Sequence, residues 1–149
     1  MGSAGCGATS YHLVVAGGVS EWDEILTSVE IFDLKKRSSR KGASLRTARA
    51  YFKIIPIGFK HPRLLAIGGR YLSSNLKTTE WWDEDGDSWE VGPSLATGRA
   101  SFDALTAPPH LVCLETTDPL VHSCPAGEET DLQNCVFSAP ENGISAQMA

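Results

Sequence analysis

Acidic residues alternate at Asp83, Asp85 and Asp87, in the manner of a loop that binds calcium through carboxylate oxygens. The EF-hand loop needs a glycine at its sixth position and a glutamate at its twelfth, whereas this stretch has Gly86 fourth and Ser94 twelfth. Aspartate and glycine together are typical of a tight turn exposed to water. The stretch therefore predicts a solvated hairpin turn.

The cysteines are the other candidates for chemistry. Cys113, Cys124 and Cys135 are evenly spaced and His122 lies two residues before Cys124, but the closely spaced ligand pairs of a zinc site are missing. Catalysis by Cys and His depends on proximity in space, which this spacing does not demonstrate. The sequence therefore predicts no catalytic residue, no metal site and no cofactor. Because no signal peptide is visible, we expect free thiols and a cytoplasmic location.

Two glycine pairs, Gly17–Gly18 and Gly68–Gly69, invite comparison with phosphate-binding loops. Neither pair is followed by a third glycine, a Lys-Ser/Thr step or the start of a helix. Each pair instead ends a short apolar run that is typical of a buried strand. We therefore predict structural glycines, which allow tight turns and close approach of strands.

The charge of the chain excludes two classes of partner. The 149 residues carry a formal net charge of −5, whereas nucleic acids and anionic membranes attract basic surfaces. No apolar run approaches the roughly 20 residues of a membrane-spanning helix. The first 99 residues carry a net +2 and the last 50 carry −7. This break predicts two regions with different physical roles.

An internal repeat of about 50 residues organises the first region. Residues 42–52 match residues 92–102 at seven of eleven positions, and upstream Glu30 and Asp33 match Glu80 and Asp83 at the same shift. The apolar runs that precede the two glycine pairs match at a shift of 51. Each unit contains about four short apolar or β-branched runs, which is the strand content of one propeller blade.

The order of a glycine pair, a Glu-containing strand, a tryptophan and a Leu-x-x-x-Arg loop resembles the repeat of the Kelch β-propeller family. The resemblance covers residues 11–102 and implies an all-β partial propeller with two four-stranded blades and an irregular C-terminal tail. It also implies a structural role for the glycine pairs and for Arg49, Arg99 and Trp89. We expect Trp89 to be buried in its own blade, near Leu95 or Trp82.

The boundaries follow from this pattern. We expect a flexible N-terminus over residues 1–10 and two Kelch-like repeats over residues 11–106, at about 11–51 and 52–101. Over residues 107–149 we expect an abortive third repeat and a disordered tail, since Glu115–Thr116 stands where a glycine pair should follow and several Pro and Gly residues come after it. Open blade edges would also allow self-association.

The loops after the glycine pairs differ between the units. They contain Trp22 among acidic neighbours, and Arg70 beside Tyr71, which are residue types enriched at interface hot spots. The resemblance implies that such loops line one propeller face and meet a protein partner; alternatively, Trp22 and Tyr71 only cover blade edges. We predict a non-enzymatic interaction scaffold and, by resemblance, a substrate-recruiting adaptor of the BTB–Kelch kind. The alternative is a small-molecule or metal-dependent enzyme on the same propeller.

Overall fold

The protein is built from β-strands throughout the part of the chain that the structure describes. A computed structural model describes residues 3–57, 63–107, 110–115, 121–125 and 136–138, with side chains up to Phe102 and at Ala104. Within these residues the strands form three antiparallel four-stranded sheets and one small hairpin. The all-β prediction is confirmed. The same residues include no helix long and apolar enough to cross a bilayer.

The first sheet is a simple meander of four consecutive strands. Val29 and Ile31 are buried while the intervening Glu30 is exposed, which is the alternation expected of a strand that packs on one face. The outermost strand is exposed along its whole length and rich in positive charge, as suits a sheet edge. The strands, in chain order and in sheet order, are β1 (Gly5–Ala8), β2 (His12–Ala16), β3 (Val29–Asp33) and β4 (Ser38–Lys41).

The second sheet repeats this meander and adds a short hairpin after the glycine pair. Its central strand β6 is buried at four of five positions, which explains its nearly continuous apolar sequence. The sheet contains β5 (Lys53–Ile57), β6 (Arg63–Ile67), β9 (Thr79–Asp83) and β10 (Ser88–Val91); the hairpin is β7 (Arg70–Tyr71) and β8 (Ser74–Asn75).

A third sheet follows where the sequence predicts an abortive repeat. It consists of β11 (Phe102–Ala107), β12 (His110–Glu115), β13 (Val121–Pro125) and β14 (Val136–Ser138). The structure differs from the expectation because β12, once paired with β11, has a second edge of backbone hydrogen-bonding groups, and β13 pairs with it. Residues 116–120, 126–135 and 139–149 lie outside the described residues, so the disorder of the tail stays a prediction.

The N-terminus also differs from the expected flexible segment. Gly5–Ala8 pair with β2 in register, so the first sheet begins ahead of residue 11. Because glycine has a low strand propensity, the sequence does not identify this strand. The packing nevertheless requires glycine at these positions. A Cβ at Gly5 would lie 2.5 Å from the Phe52 ring, and one at Gly7 would lie 2.5 Å from Ile54.

The same turn stands before the first strand of each sheet. Ser3, Tyr51 and Ser101 have φ values of 62°, 56° and 55°, a left-handed conformation that is uncommon outside glycine. The Tyr51 N–H donates to the Ser3 carbonyl and the Ser101 N–H to the Tyr51 carbonyl, each at 2.9 Å. These bonds bring β1, β5 and β11 side by side. The sheets are therefore joined at their first strands, as successive blades of a partial propeller.

The main hydrophobic core lies between the first and second sheets. It combines Val14, Ala16, Val29, Ile31, Leu45, Phe52, Ile54, Leu64, Ala66, Trp82 and Trp89. Trp89 is 4% exposed and pairs with Trp82 in the register of its own sheet. Its indole Nε1–H donates to the carbonyl of Ala43, 3.0 Å away in the first unit. Leu95 belongs to a second cluster, so Trp89 is buried with Trp82 of its own sheet and also contacts the neighbouring blade.

Replacing Trp89 by alanine therefore removes core volume and one bond between the blades. We expect Trp89→Ala to lower the free energy of unfolding by about 3–5 kcal/mol, measured by urea denaturation. Val91→Ala, a truncation on the same strand at an exposed position, is the control and should cost less than about 0.5 kcal/mol. An unchanged denaturation midpoint for Trp89→Ala would contradict this packing.

Candidate functional site

One end of the first two blades gathers the loops that follow the glycine pairs, which vary between the repeats, and the Leu-x-x-x-Arg loops, which are similar in both. We call this end the loop face; it is formed by residues 17–28, 42–52, 68–78 and 92–101. The backbone bridge between Ala50 and Arg70, with N–H···O distances of 3.0 and 2.7 Å, ties a loop of the first unit to the hairpin of the second. The loop face is therefore continuous across the two blades.

Trp22 is held outward by a compact turn. Val19 and Ile25 form a backbone bridge at its base, and the Ser20 hydroxyl accepts hydrogen bonds from the N–H groups of Trp22 and Glu24 at 3.2 and 3.1 Å. The Trp22 side chain is 78% exposed. A large aromatic side chain held in water on an ordered turn is typical of an anchor that a partner buries.

The β7–β8 hairpin presents the other apolar side chains. Tyr71 is 43% and Leu72 is 69% exposed, and Leu72 has a left-handed φ of 53° at the tip of the turn. The Arg70 Nε–H donates to the Leu72 carbonyl at 3.0 Å. Arg70 therefore stabilises its own hairpin besides being exposed at the face.

Two residues that the sequence predicts, Arg70 and Tyr71, lie close along the chain or through a backbone bridge to two that sequence reasoning missed. The missed residues are Leu72 and Tyr51. Tyr71 lies in the same hairpin as Leu72, and Tyr51, 46% exposed, follows Ala50 in the loop that is bridged to Arg70. A lone leucine or tyrosine in a loop carries no sequence signal for exposure. Trp22 and Tyr51 share the loop face although 28 residues separate them.

The glycine pairs fix the turns beneath this face. All four, Gly17, Gly18, Gly68 and Gly69, have positive φ values of 58–101°. A Cβ on Gly68 would lie 2.7 Å from the carbonyl oxygen of Arg99, so only glycine lets the two segments approach. The Gly69 N–H then donates to that same carbonyl.

Arg49 joins the first blade to the second through a buried ion pair. The side chains of Arg49 and Glu80 are 0% and 2% exposed, with 2.7 Å between Nη2 and Oε1. Arg49 Nη1–H also donates to the carbonyls of Gly68 and Thr78, at 2.7 and 3.0 Å. Burial lowers the pKa of Arg49 below its ordinary value, while the charge and hydrogen bond of Glu80 oppose that shift.

Glu80 in turn holds the loop that carries Arg49. Its carboxylate accepts the N–H groups of Arg46 and Thr47 at 2.7 and 3.0 Å. Arg99 occupies the position in the second repeat that Arg49 occupies in the first, and it is likewise buried. Its carbonyl accepts the Gly69 N–H, and its own N–H donates to the Leu76 carbonyl.

The acidic hairpin that resembled a calcium loop contacts the first blade. Asp87 accepts from Arg40 Nη1 at 2.5 Å, from the Ala43 N–H at 3.3 Å and from the Trp82 indole at 3.2 Å. Glu84 lies 2.5 Å from His12 Nδ1. Burial alone would raise the pKa of Asp87, but these hydrogen bonds and the charge of Arg40 hold the pKa below its ordinary value. The hairpin is therefore an inter-blade contact as well as a turn.

No group of three or more His, Cys, Asp or Glu side chains is placed to hold a metal ion among the residues whose side chains are described. Cys6 is an exposed thiol with no disulfide partner among the residues whose side chains the structure describes. The His122 and Cys124 side chains lie outside the described part of the chain, so the prediction made for them stays a prediction.

Comparison with known proteins agrees with this architecture. Residues 2–46 match the family model of the Kelch motif, a span that begins ahead of β1. The Caenorhabditis elegans Kelch repeat-containing protein kel-10 is 32% identical over 96 residues, which cover 63% of this chain and 16% of that protein. Kelch repeat and BTB domain-containing protein F47D12.7 of the same organism is 28% identical over 104 residues, which cover 68% of this chain and 18% of that protein.

The resemblance to Kelch repeats is thereby confirmed: the family model and both relatives support a Kelch-repeat family for this chain. Kelch repeats generally serve as scaffolds for protein interaction. The chain spans less than a fifth of the length of either relative.

The Arg49–Glu80 pair gives a direct test of blade coupling. Glu80→Ala leaves a buried guanidinium without its carboxylate, so we expect a loss of about 3–5 kcal/mol in the free energy of unfolding. Glu30→Ala is the matched control, since Glu30 occupies the same place in the first repeat but is exposed, and it should cost less than about 0.5 kcal/mol. Equal costs for the two variants would contradict the inter-blade role.

Asp87 makes stability depend on pH. Because its folded pKa is depressed, its contribution is fully present above the unfolded pKa of about 3.9 and is lost as the pH falls through the lower folded pKa. Asp87→Asn should cost about 1 kcal/mol at pH 7 and flatten the decline in urea midpoint below about pH 4. Asp85→Asn, an exposed neighbour in the same hairpin, should leave the pH profile unchanged; an identical profile in both variants would exclude the Asp87 contacts.

Proposed function

We propose that this protein is a non-enzymatic scaffold whose loop face binds a protein partner. The observation that carries the proposal is the set of exposed apolar side chains held there by ordered turns: Trp22, Tyr51, Tyr71 and Leu72. Such side chains lose little conformational entropy on binding and bury large apolar areas.

The charges around these side chains indicate the chemistry of the partner. Trp22 stands between Glu21 and Asp23, both exposed, whereas exposed Arg70 precedes Tyr71. A partner surface with an apolar centre, a basic rim towards Trp22 and an acidic rim towards Arg70 would match the loop face.

A finer role is a substrate-recruiting adaptor in the cytoplasm. One relative is described as a Kelch repeat and BTB domain-containing protein, which supports a recruiting role in which blades select the partner.

The test compares variants at the two ends of the blades by quantitative affinity capture from cell extract. Trp22→Ala and Tyr71→Ala should each reduce recovery of a specific partner at least about tenfold without lowering the melting temperature. Tyr11→Ala and Leu34→Ala are matched controls, because these residues are comparably exposed but lie in turns at the opposite end, where the Leu34 N–H donates to the Tyr11 carbonyl.

Equal recovery in all four variants would contradict a recognition role for the loop face. A stoichiometric transition metal in the purified chain, with no protein partner, would favour the enzyme alternative instead.

A further inference from the structure

The turn between β3 and β4 carries three consecutive basic side chains, Lys35, Lys36 and Arg37, all exposed. The turn is formed by backbone groups, since the Asp33 carboxylate accepts the N–H groups of Lys35 and Lys36 at 3.0 and 2.8 Å. The ion pair between Lys36 and Asp33, at 3.6 Å, is exposed and adds little stability. The second repeat forms the same turn with residues 85–87, Asp-Gly-Asp. The fold therefore does not require basic side chains here.

Two serines follow this basic turn. Of the serines and threonines in the chain, only Ser38 and Ser39 have a Lys or Arg at both the second and the third position before them. A protein kinase with acidic side chains beside its active site selects acceptors with basic residues at such positions, because the charges are complementary. The turn therefore indicates an acceptor for a kinase of this kind.

The first of the two serines is the easier to release from the sheet. Ser38 begins β4, which is exposed along its whole length and pairs with β3 alone among the described strands. Phosphoryl transfer requires the acceptor hydroxyl in line with the phosphate, so Ser38 has to leave its pair with Asp33. Ser39 also has to leave its pair with Phe32. Because the end of an edge strand opens at a low free-energy cost, Ser38 is the favoured acceptor.

Ser38 lies on the side of the first sheet that faces the second blade. Its strand partner is Asp33, and Arg40, two residues further along β4, points to the same side. Arg40 Nη1 donates to the Asp87 carboxylate in the acidic hairpin of the second blade. A phosphate on Ser38 therefore stands between the Asp33 carboxylate, which repels it, and the Arg40 guanidinium, which attracts it.

The phosphate is a stronger partner for Arg40 than Asp87 is. A phosphoserine carries a charge of about −1.5 to −2 at pH 7 and has three acceptor oxygens. Its charge also repels Asp87 and Glu84, which belong to the hairpin that contacts the first blade. The new contact lies within one blade, whereas the contact that it replaces joins two blades.

We propose that Ser38 is a phosphorylation site for a protein kinase that selects basic segments, and that the phosphate draws Arg40 away from Asp87. The Ser38 Oγ attacks the γ-phosphorus of ATP, the bond from that phosphorus to the β-phosphate oxygen breaks, and ADP leaves with the electron pair. The hydroxyl proton passes to the base of the kinase. Phosphorylation thereby loosens the boundary between the blades. The proposal does not rest on recognition by the loop face.

The first test treats the folded full chain with the catalytic subunit of cyclic-AMP-dependent protein kinase and Mg-ATP, and maps the phosphate by mass spectrometry. Phosphate should enter Ser38 first. Ser88 is the matched control within the chain, because it also begins a strand and pairs with an aspartate, Asp83, but follows the acidic turn. It should react at least about 100-fold more slowly.

The basic side chains are tested by substitution. Lys35→Ala combined with Lys36→Ala should lower the initial rate at Ser38 at least about tenfold, whereas Lys41→Ala, a basic residue beyond the acceptor, should change it less than about twofold. No incorporation into the folded chain, even where a peptide of residues 32–42 is a substrate, would overturn the proposal. Phosphate that enters Ser39 or Ser88 ahead of Ser38 would overturn it as well.

The second test measures melting temperatures of the phosphorylated and unmodified chains. Phosphorylation at Ser38 should lower the melting temperature by at least about 2 °C. In Asp87→Asn the same phosphate should lower it by less than about 1 °C, because the ion pair that it replaces is already absent. A melting temperature that the phosphate raises or leaves unchanged, or an equal fall in both chains, would overturn the proposal.

Discussion

The buried ion pair between Arg49 and Glu80 is the contact on which the arrangement of the first two blades depends. Removing two charges from water is expensive, and the cost is offset only where the two ions lie close together and make further hydrogen bonds. Here the guanidinium also donates to carbonyl oxygens, and the carboxylate accepts two backbone N–H groups. A shift of either sheet would leave a charge buried without its partners, so the pair fixes the position of the blades as well as stabilising it.

The buried ion pair also holds the turns of the loop face in place. Arg49 lies in the loop that leads to Tyr51, and Ala50 in the same loop is bridged to the β7–β8 hairpin. The exposed aromatic side chains are therefore set on turns whose base is held by the buried pair and by the glycine turns. Rigid presentation of this kind reduces the entropy lost on binding.

The sequence predicts most of the strands because the repeat marks them twice. A glycine pair after an apolar run, or a tryptophan after an acidic turn, carries more information when it recurs at a shift of about 50 residues. The repeat does not predict β1, because its glycines allow close contact with β5 but have low strand propensity. The start of a third repeat is visible in the sequence, but β13 and β14 are not, because pairing along β12 depends on backbone groups that no side-chain pattern reports.

The candidate site residues also differ in whether the sequence alone predicts them. Trp22, Arg70 and Tyr71 could be selected by residue type, whereas Leu72 and Tyr51 depend on a turn and a bridge that only the folded chain reveals. Glu80 appears in the sequence merely as the match of Glu30. Glu80 is buried against Arg49 because the first blade packs beside it. Glu30 is exposed because no blade among the described residues covers it.

Native-state hydrogen exchange tests the central claim most directly, because it reports the opening free energy of each sheet separately. If the buried pair makes the first two blades one cooperative unit, core amides of β2 and β6 will open with the same free energy in the wild-type chain and with two different free energies in Glu80→Ala. Two distinct opening free energies in the wild-type chain, unchanged by Glu80→Ala, would contradict the account.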